Sequence, residues 1–191
     1  KFWKPLDKNF SKTCLDINKN QKVILFGAEN FVNNKRKGFA FLREVFAKFE
    51  FPNEYKILLF GVSKKHNFEH INKNIINLGL IRDEHTLRLA YSASEVVVIP
   101  SLIEAFGQVA YEAIHCGTPC VVSEGTGLTS VIENKINGYI AKKNNIDDYI
   151  VGINWCLNNK DSLQEEINAR ALKKFNYKNI IKDYIAFITK K

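Results

Sequence analysis

Residues Ser101 to Ser123 read SLIEAFGQVAYEAIHCGTPCVVS, and the order of residue types in this stretch decides the fold. It follows an apolar run, Val96 to Pro100, with the composition of a buried strand, and it ends in a second such run, Cys120 to Val122. Between them the pattern predicts a helix whose beginning carries Phe106 and Gly107 and whose body carries Glu112. Glu104 stands just before that helix, eight positions from Glu112. Strand, acidic turn, helix, Gly-Thr-Pro turn and strand is the layout of a ligand site at the carboxyl edge of a parallel sheet.

The same alternation extends outward in both directions. Towards the amino terminus, Val23 to Phe26 reads as a first strand ended by Gly27, followed by a polar loop, Ala28 to Arg36. A helix then runs from Lys37-Gly38 to about Phe49, with Phe39, Leu42, Val45, Phe46 and Phe49 as one apolar stripe. Ile57 to Phe60 is a second strand ended by Gly61, His66 to Lys73 a short helix, and Ile75 to Leu78 a third strand followed by Gly79. Asp83 caps a helix that runs through Ser92 and leads to the fourth strand, Val96 to Ile99. Towards the carboxyl terminus, Pro119 to Val122 is the fifth strand, Gly125 to Ser130 a Gly-rich loop, and Gly138 to Ile140 a short sixth strand. Three helical patterns close the chain, Ile146 to Leu157, Asp161 to Phe175 and Asn179 to Ile188. Lys1 to Asn20 has no clean period; Pro5 and the polar run Lys8 to Lys12 read as a linker with a short helix from Ser11 to Ile17. Short apolar strands alternating with helices predict an α/β fold, a parallel sheet of about six strands with helices on both faces.

Composition narrows the partners. A chain of 191 residues, 46% hydrophobic and 25% charged, is ordinary for one globular domain with a sizeable core. No run of 18 or more apolar residues is present, which argues against a membrane-spanning helix. The formal net charge of +8 favours an anionic partner. No basic stripe interleaved with aromatics supports nucleic acid, whereas a phosphate-bearing small molecule or an anionic membrane face fits the charge. Cys14, Cys116, Cys120 and Cys156 form no C-x-x-C pair and read as buried free thiols. A first residue of Lys rather than Met is expected of a trimmed, processed or partial chain.

The chemistry concentrates at the carboxyl edge. No G-x-G-x-x-G follows the first strand and no G-x-x-x-x-G-K-[ST] occurs, which argues against dinucleotide and ATPase-type phosphate loops. The free N–H groups and dipole at Gly107, opening a helix, attract phosphate. Glu112 lies five residues on, about 7.5 Å along the helix axis. Glu104 before the phosphate-binding turn and Glu112 beyond it suit a sugar, a diphosphate and a ribose in that order; a helix-capping Glu104 and a solvent-facing Glu112 would satisfy the same spacing. Lys37 and Arg36, on a loop from the first strand, can reach the same edge, where a cation stabilises charge on a departing diphosphate. They equally suit a solvated surface. His66 and His70, at i and i+4, lack the carboxylate of an H-E-x-x-H motif, and no metal site is expected.

Taken together, the motifs resemble a known family. The segment Glu104-Ala-Phe-Gly-Gln-Val-Ala-Tyr-Glu112 is similar to the E-x7-E signature of family 4 retaining glycosyltransferases, which have the GT-B architecture. FGAENFVNNKRKGF resembles the first strand and lysine loop of that family, and ILLFG its second strand. INLGLIRDEHTLRLAYSASEVVVIPS and CGTPCVVSEGTGLTSVIENKINGYI resemble its later strands and its closing glycine loop. The resemblance covers Val23 to about Ile188 and implies a Rossmann-like sheet, the C-terminal, donor-binding half of a GT-B fold.

That resemblance implies residue roles and a domain layout. Lys37 would bind the donor diphosphate, with Arg36 beside it. Glu104 would contact the transferred sugar, the backbone at Phe106 and Gly107 would receive sugar or phosphate oxygens, and Glu112 would hold the ribose hydroxyls. Ile81 and Arg82 would border the base. Glu104 and Lys37 are the implied catalytic pair, and the donor is a nucleoside diphosphate sugar used without a metal or other cofactor. Residues 1–20 would form an interdomain linker and lead-in segment, 21–175 the nucleotide-sugar domain, and 176–191 a helix that packs back on an N-terminal domain supplying the glycan or lipid-linked acceptor. The implied activity is hexosyl transfer in bacterial surface glycan or lipopolysaccharide synthesis, in the cytoplasm or at the inner face of an anionic membrane, with the isolated piece inactive. A non-catalytic nucleotide-sugar-binding module and half of a GT-B sugar-nucleotide epimerase are the alternatives. Two positions depart from the pattern, Ala28 where many members carry arginine and Thr129-Ser130 where many carry a carboxylate.

Overall fold

The computed structural model describes residues 2–52, 54–68, 74–174 and 177–189. Among these residues six strands form one sheet: β1 (Lys22–Gly27), β2 (Tyr55–Phe60), β3 (Ile75–Asn77), β4 (Val96–Ile99), β5 (Cys120–Ser123) and β6 (Gly138–Ala141). Their order is β3-β2-β1-β4-β5-β6 and every pairing is parallel, with Leu25 of β1 in register with Leu58 of β2 and Val97 of β4. This is the Rossmann-like, doubly wound arrangement that the alternation predicts.

Each inner strand sends successive side chains to opposite faces, and both faces are buried. Val23, Leu25, Leu58, Phe60, Val97 and Ile99 face a core closed by α3 (Glu84–Ala93) and α4 (Gln108–His115). Ile24, Phe26, Ile57, Leu59, Val96 and Val98 face the other core, closed by α2 (Phe39–Lys48) and an aromatic group of Phe31, Phe39 and Phe68. The N-cap of α3 is as expected: Asp83 Oδ1 accepts from the Thr86 N–H at 2.7 Å.

Four boundaries differ from the expectation. The basic run Lys35–Lys37 forms a 3₁₀ turn, and α2 begins only after Gly38. The two helical patterns over Ile146–Leu157 and Asp161–Phe175 are one helix, α5 (Ile146–Lys174), because Asn158, Asn159 and Lys160 between them include neither Gly nor Pro to stop it. Its Ile153 and Cys156 pack in one core and its Leu163 and Ile167 in the other, so α5 carries the chain from one face of the sheet to the other. The helix expected over His66–Lys73 is not formed at 66–68, and 69–73, His70 included, lie outside the described residues. The first helix, α1 (Lys8–Cys14), starts earlier than expected because Asp7 caps it through the Phe10 N–H at 2.7 Å.

Residues 2–6 run along α3, and the α1 segment that follows is docked at the amino edge of the sheet. Lys12 is buried there; its ammonium donates to the Gln21 carbonyl at 2.6 Å and to Glu95 Oε1 at 3.3 Å. Glu95 Oε2 in turn accepts from the Val23 N–H at 2.6 Å, which joins α1 to the starts of β1 and β4. At the other end α6 (Tyr177–Ile188) leaves Ile181, Tyr184, Ile185 and Ile188 exposed.

Candidate active site

In this strand order the chain leaves β1 towards β2 and returns from β3 to β4 on the other side of β1. The loops after β1 and β4 therefore diverge and leave a crevice at the carboxyl edge. An open cleft of about 800 Å³ lies there, in the size range of small-molecule sites. Its walls include Gly27, Ala28 and Lys37 after β1, Gly61 after β2, Ile81 and Arg82 after β3, and Glu104, Gly107 and Glu112 after β4.

The loops are interlocked by close contacts at glycines. Gly38 has φ +72°, and a Cβ there would stand 2.0 Å from the Pro100 carbonyl oxygen. The adjacent Leu102 N–H donates to the Arg36 carbonyl at 2.8 Å, so the β1 and β4 loops are held together. Gly107, with φ +94°, is the N-cap of α4, and a Cβ on it would meet Leu128 at 2.4 Å. The Gly127 N–H donates to the Glu104 carbonyl at 2.7 Å, and Lys143 Nζ donates to the Leu102 carbonyl at 2.9 Å. The Glu104 loop is thus fixed from three directions.

Two charged groups meet across the cleft. Lys37 Nζ donates to Glu104 Oε2 at 2.9 Å, with both side chains roughly three-quarters buried at 26% and 23% exposure. Among the described residues no side chain caps α4, so the N–H groups of its first turn, at Gln108 and Val109 on the cleft wall, present partial positive charge there. Glu112 is 4% exposed, and each of its carboxylate oxygens accepts one bond from a neutral donor. The Tyr91 hydroxyl donates to Oε2 at 2.9 Å, and Gln108 Nε2 donates to Oε1 at 2.8 Å. Burial raises the Glu112 carboxyl above its ordinary range, with these two hydrogen bonds opposing the rise, and burial pushes the Tyr91 phenol far up.

Of the residues singled out from sequence, the structure gathers Lys37, Ile81, Arg82, Glu104, Gly107 and Glu112 on one cleft. Arg36 and Phe106 are not among its lining residues. In a 3₁₀ turn neighbouring side chains point about 120° apart, so Lys37 turns inward while Arg36 stays exposed, its Nε 3.5 Å from Asn34 Oδ1. Phe106 precedes α4 rather than starting it, and its ring is exposed. Among the described lining residues the cations are Lys37 and Arg82. Sequence reasoning missed Tyr91 and Gln108. Gln108 was within reach of it, four residues before Glu112 on one helix face, whereas Tyr91 comes from a different helix.

The family profile described as glycosyl transferases group 1 matches residues 7–174. This chain belongs to that family. Among curated relatives of this glycosyltransferase domain is an uncharacterized glycosyltransferase of Methanocaldococcus jannaschii, 27% identical over 188 residues, which cover 93% of this chain and 47% of the relative. Sucrose-phosphate synthase from Thermosynechococcus elongatus shares its fold at a TM-score of 0.80 and 22% identity, over 98% of this chain and 49% of that one. An Anabaena protein, HepE, solved in complex with UDP and glucose, shares it at a TM-score of 0.78 and 18% identity, over all of this chain and 54% of that one. The chain spans about half the length of these proteins. The likeness confirms a GT-B type Rossmann-like fold and a C-terminal-domain reading. None of the described helices is long and apolar enough to cross a membrane.

Proposed function

We propose that this domain binds the nucleoside diphosphate sugar for a retaining glycosyltransferase that transfers the sugar to a hydroxyl acceptor. The observation that carries the proposal is the convergence of Lys37, Glu104, the uncapped start of α4 and Glu112 on one switch-point cleft in a group 1 glycosyltransferase. The HepE structure with UDP and glucose supports a nucleotide donor. In this reading the donor diphosphate takes Lys37 and the first-turn N–H groups of α4, Glu104 receives hydroxyls of the transferred sugar, and Glu112 receives the ribose. The acceptor oxygen bonds to the anomeric carbon on the face from which the diphosphate leaves. The anomeric carbon–phosphate oxygen bond breaks, and the acceptor proton passes to the departing phosphate. Lys37 and the helix terminus supply the positive charge that this departure needs, a role that requires no metal. The acceptor, a glycan or lipid-linked hydroxyl, is held by a further domain against which the exposed stripe of α6 packs. The net charge of +8 suits work beside an anionic bacterial inner-membrane face in surface glycan synthesis.

Calorimetric titration of this chain with UDP, GDP and ADP tests the reading. Saturable binding of one of them, weakened by Lys37→Ala, is the expected result. A folded sample that binds none at millimolar concentration contradicts it.

A further inference from the structure

We propose that Tyr91 and Gln108 are positioning residues of the donor site, a two-donor clamp that aims the Glu112 carboxylate at the ribose. The inference rests on the assignment of Glu112 to the ribose hydroxyls.

An ionised carboxylate has about four lone-pair directions. The clamp uses two of them, one on each oxygen: Tyr91 Oη binds Oε2 and Gln108 Nε2 binds Oε1. One direction per oxygen remains, which matches a pair of vicinal hydroxyls. Among the described residues no cation pairs with Glu112, so neutral donors alone fix its rotamer. The two donors come from different elements, α3 and α4, so the carboxylate is held against both.

Tyr91 is built to hold still. It is fully buried, and its ring packs edge-on against Trp3 at 5.8 Å and Phe60 at 6.2 Å. Its carbonyl accepts from Thr118 Oγ1 at 2.7 Å. Trp3 reaches it from the amino-terminal segment, which is itself tied to α3 by the bond from the Leu6 N–H to Ser92 Oγ and by the bond from Arg88 Nε to the Lys4 carbonyl. A ring held by Trp3 and Phe60 aims its hydroxyl at Glu112.

The alternative is that the hydroxyl only satisfies a buried carboxylate. The two roles part company on the ligand's hydroxyls. The experiment titrates this chain with whichever of UDP, GDP and ADP binds most tightly and with the 2′,3′-dideoxy form of that nucleotide. The proteins are wild type, Tyr91→Phe, Gln108→Ala and Glu112→Gln, each verified by a thermal melt. Wild type is expected to prefer the ribonucleotide, and Glu112→Gln to erase the preference. Tyr91→Phe should weaken the ribonucleotide about five- to tenfold, the effect of one hydrogen bond, and leave the dideoxy form unchanged. Gln108→Ala, at an exposed position, should show the same selective loss. Should Tyr91→Phe fail to fold, Gln108→Ala decides the matter. Equal loss for both ligands, or no loss for either, overturns the clamp while leaving Glu112 at the ribose. A preference that survives Glu112→Gln, or no binding at all, overturns the ribose assignment and the clamp with it.

Discussion

Gly127→Ala probes how the Glu104 loop is held, and the structure fixes its magnitude. The backbone of Gly127 is not left-handed, so alanine is not strained by its torsion angles. The effect is steric: the new Cβ would lie 1.9 Å from the Ala105 carbonyl oxygen and 2.8 Å from that of Glu104. Both obstacles are backbone, so the loop or the 3₁₀ turn Gly127–Ser130 must retreat by about 1 Å or more to reach ordinary contact distance. Overpacking of this kind costs about 1–3 kcal/mol. The retreat also breaks the 2.7 Å bond from the Gly127 N–H to the Glu104 carbonyl, worth about 1 kcal/mol. The sum, about 2–4 kcal/mol, lowers the Tm of a domain this size by about 4–16 °C. Glu104 moves with the loop, so nucleotide-sugar affinity falls as well. Gly125→Ala is the internal control. Its φ is +67° but nothing lies within 4 Å of its Cβ, so it costs only the left-handed backbone, about 1–2 kcal/mol, without displacing Glu104. Thermal melts and donor titrations of both variants provide the readout. Gly127→Ala melting within about one degree of wild type, with unchanged affinity, would refute the argument.

Other expectations follow from the same contacts. Lys12→Ala leaves Glu95 buried with, among the described residues, the partly exposed Lys8 at 3.5 Å and the Val23 N–H, and should cost about 3 kcal/mol in urea unfolding; a negligible change would mean that the amino-terminal segment is not integral to the domain. Because burial raises the Glu112 carboxyl in the folded state, the stability it contributes is full below its ordinary pKa of 4.5 and falls as the pH rises through the raised value. The Tm of Glu112→Gln relative to wild type should therefore climb between pH 4 and pH 7; a constant or falling difference contradicts the sign. Thiol titration of the native chain should detect Cys14 alone. Cys116, Cys120 and Cys156 are buried, and burial pushes the Cys116 thiol up to about 12; four reactive thiols before unfolding would be inconsistent with these cores.

What the sequence showed of this molecule was what it encodes locally. The β4–α4–β5 stretch carries its own strand runs, its glycine N-cap and its Gly-Thr-Pro turn within 28 residues, and Asp83 caps α3 through a residue three positions on. The site residues that converge, Lys37 and Glu104 among them, follow from the rule that carboxyl-edge loops of a parallel sheet meet at a switch point. The features that stayed hidden depend on distant pairs. Lys12 looks like one more lysine in a polar run, and only Glu95, 83 residues on, makes it a buried residue. Tyr91 looks like one apolar position among several on α3, and only the packing of α3 beside α4 places its hydroxyl on Glu112. Arg36 and Lys37 look equivalent as adjacent basic residues, and only the 3₁₀ turn separates their directions. Cys14, expected to be buried with the other thiols, is exposed because α1 turns that side outward.

The most direct test of the central claim is a map of nucleotide-induced amide shifts on the 15N-labelled chain, titrated with UDP, GDP and ADP in turn. The account predicts saturable shifts for one nucleotide at Gly27, Ala28, Lys37, Ile81, Arg82, Gly107 and Glu112, all on the cleft where the β1 and β4 loops part. Saturable shifts confined to another surface, or none at these residues in a folded sample, would contradict it.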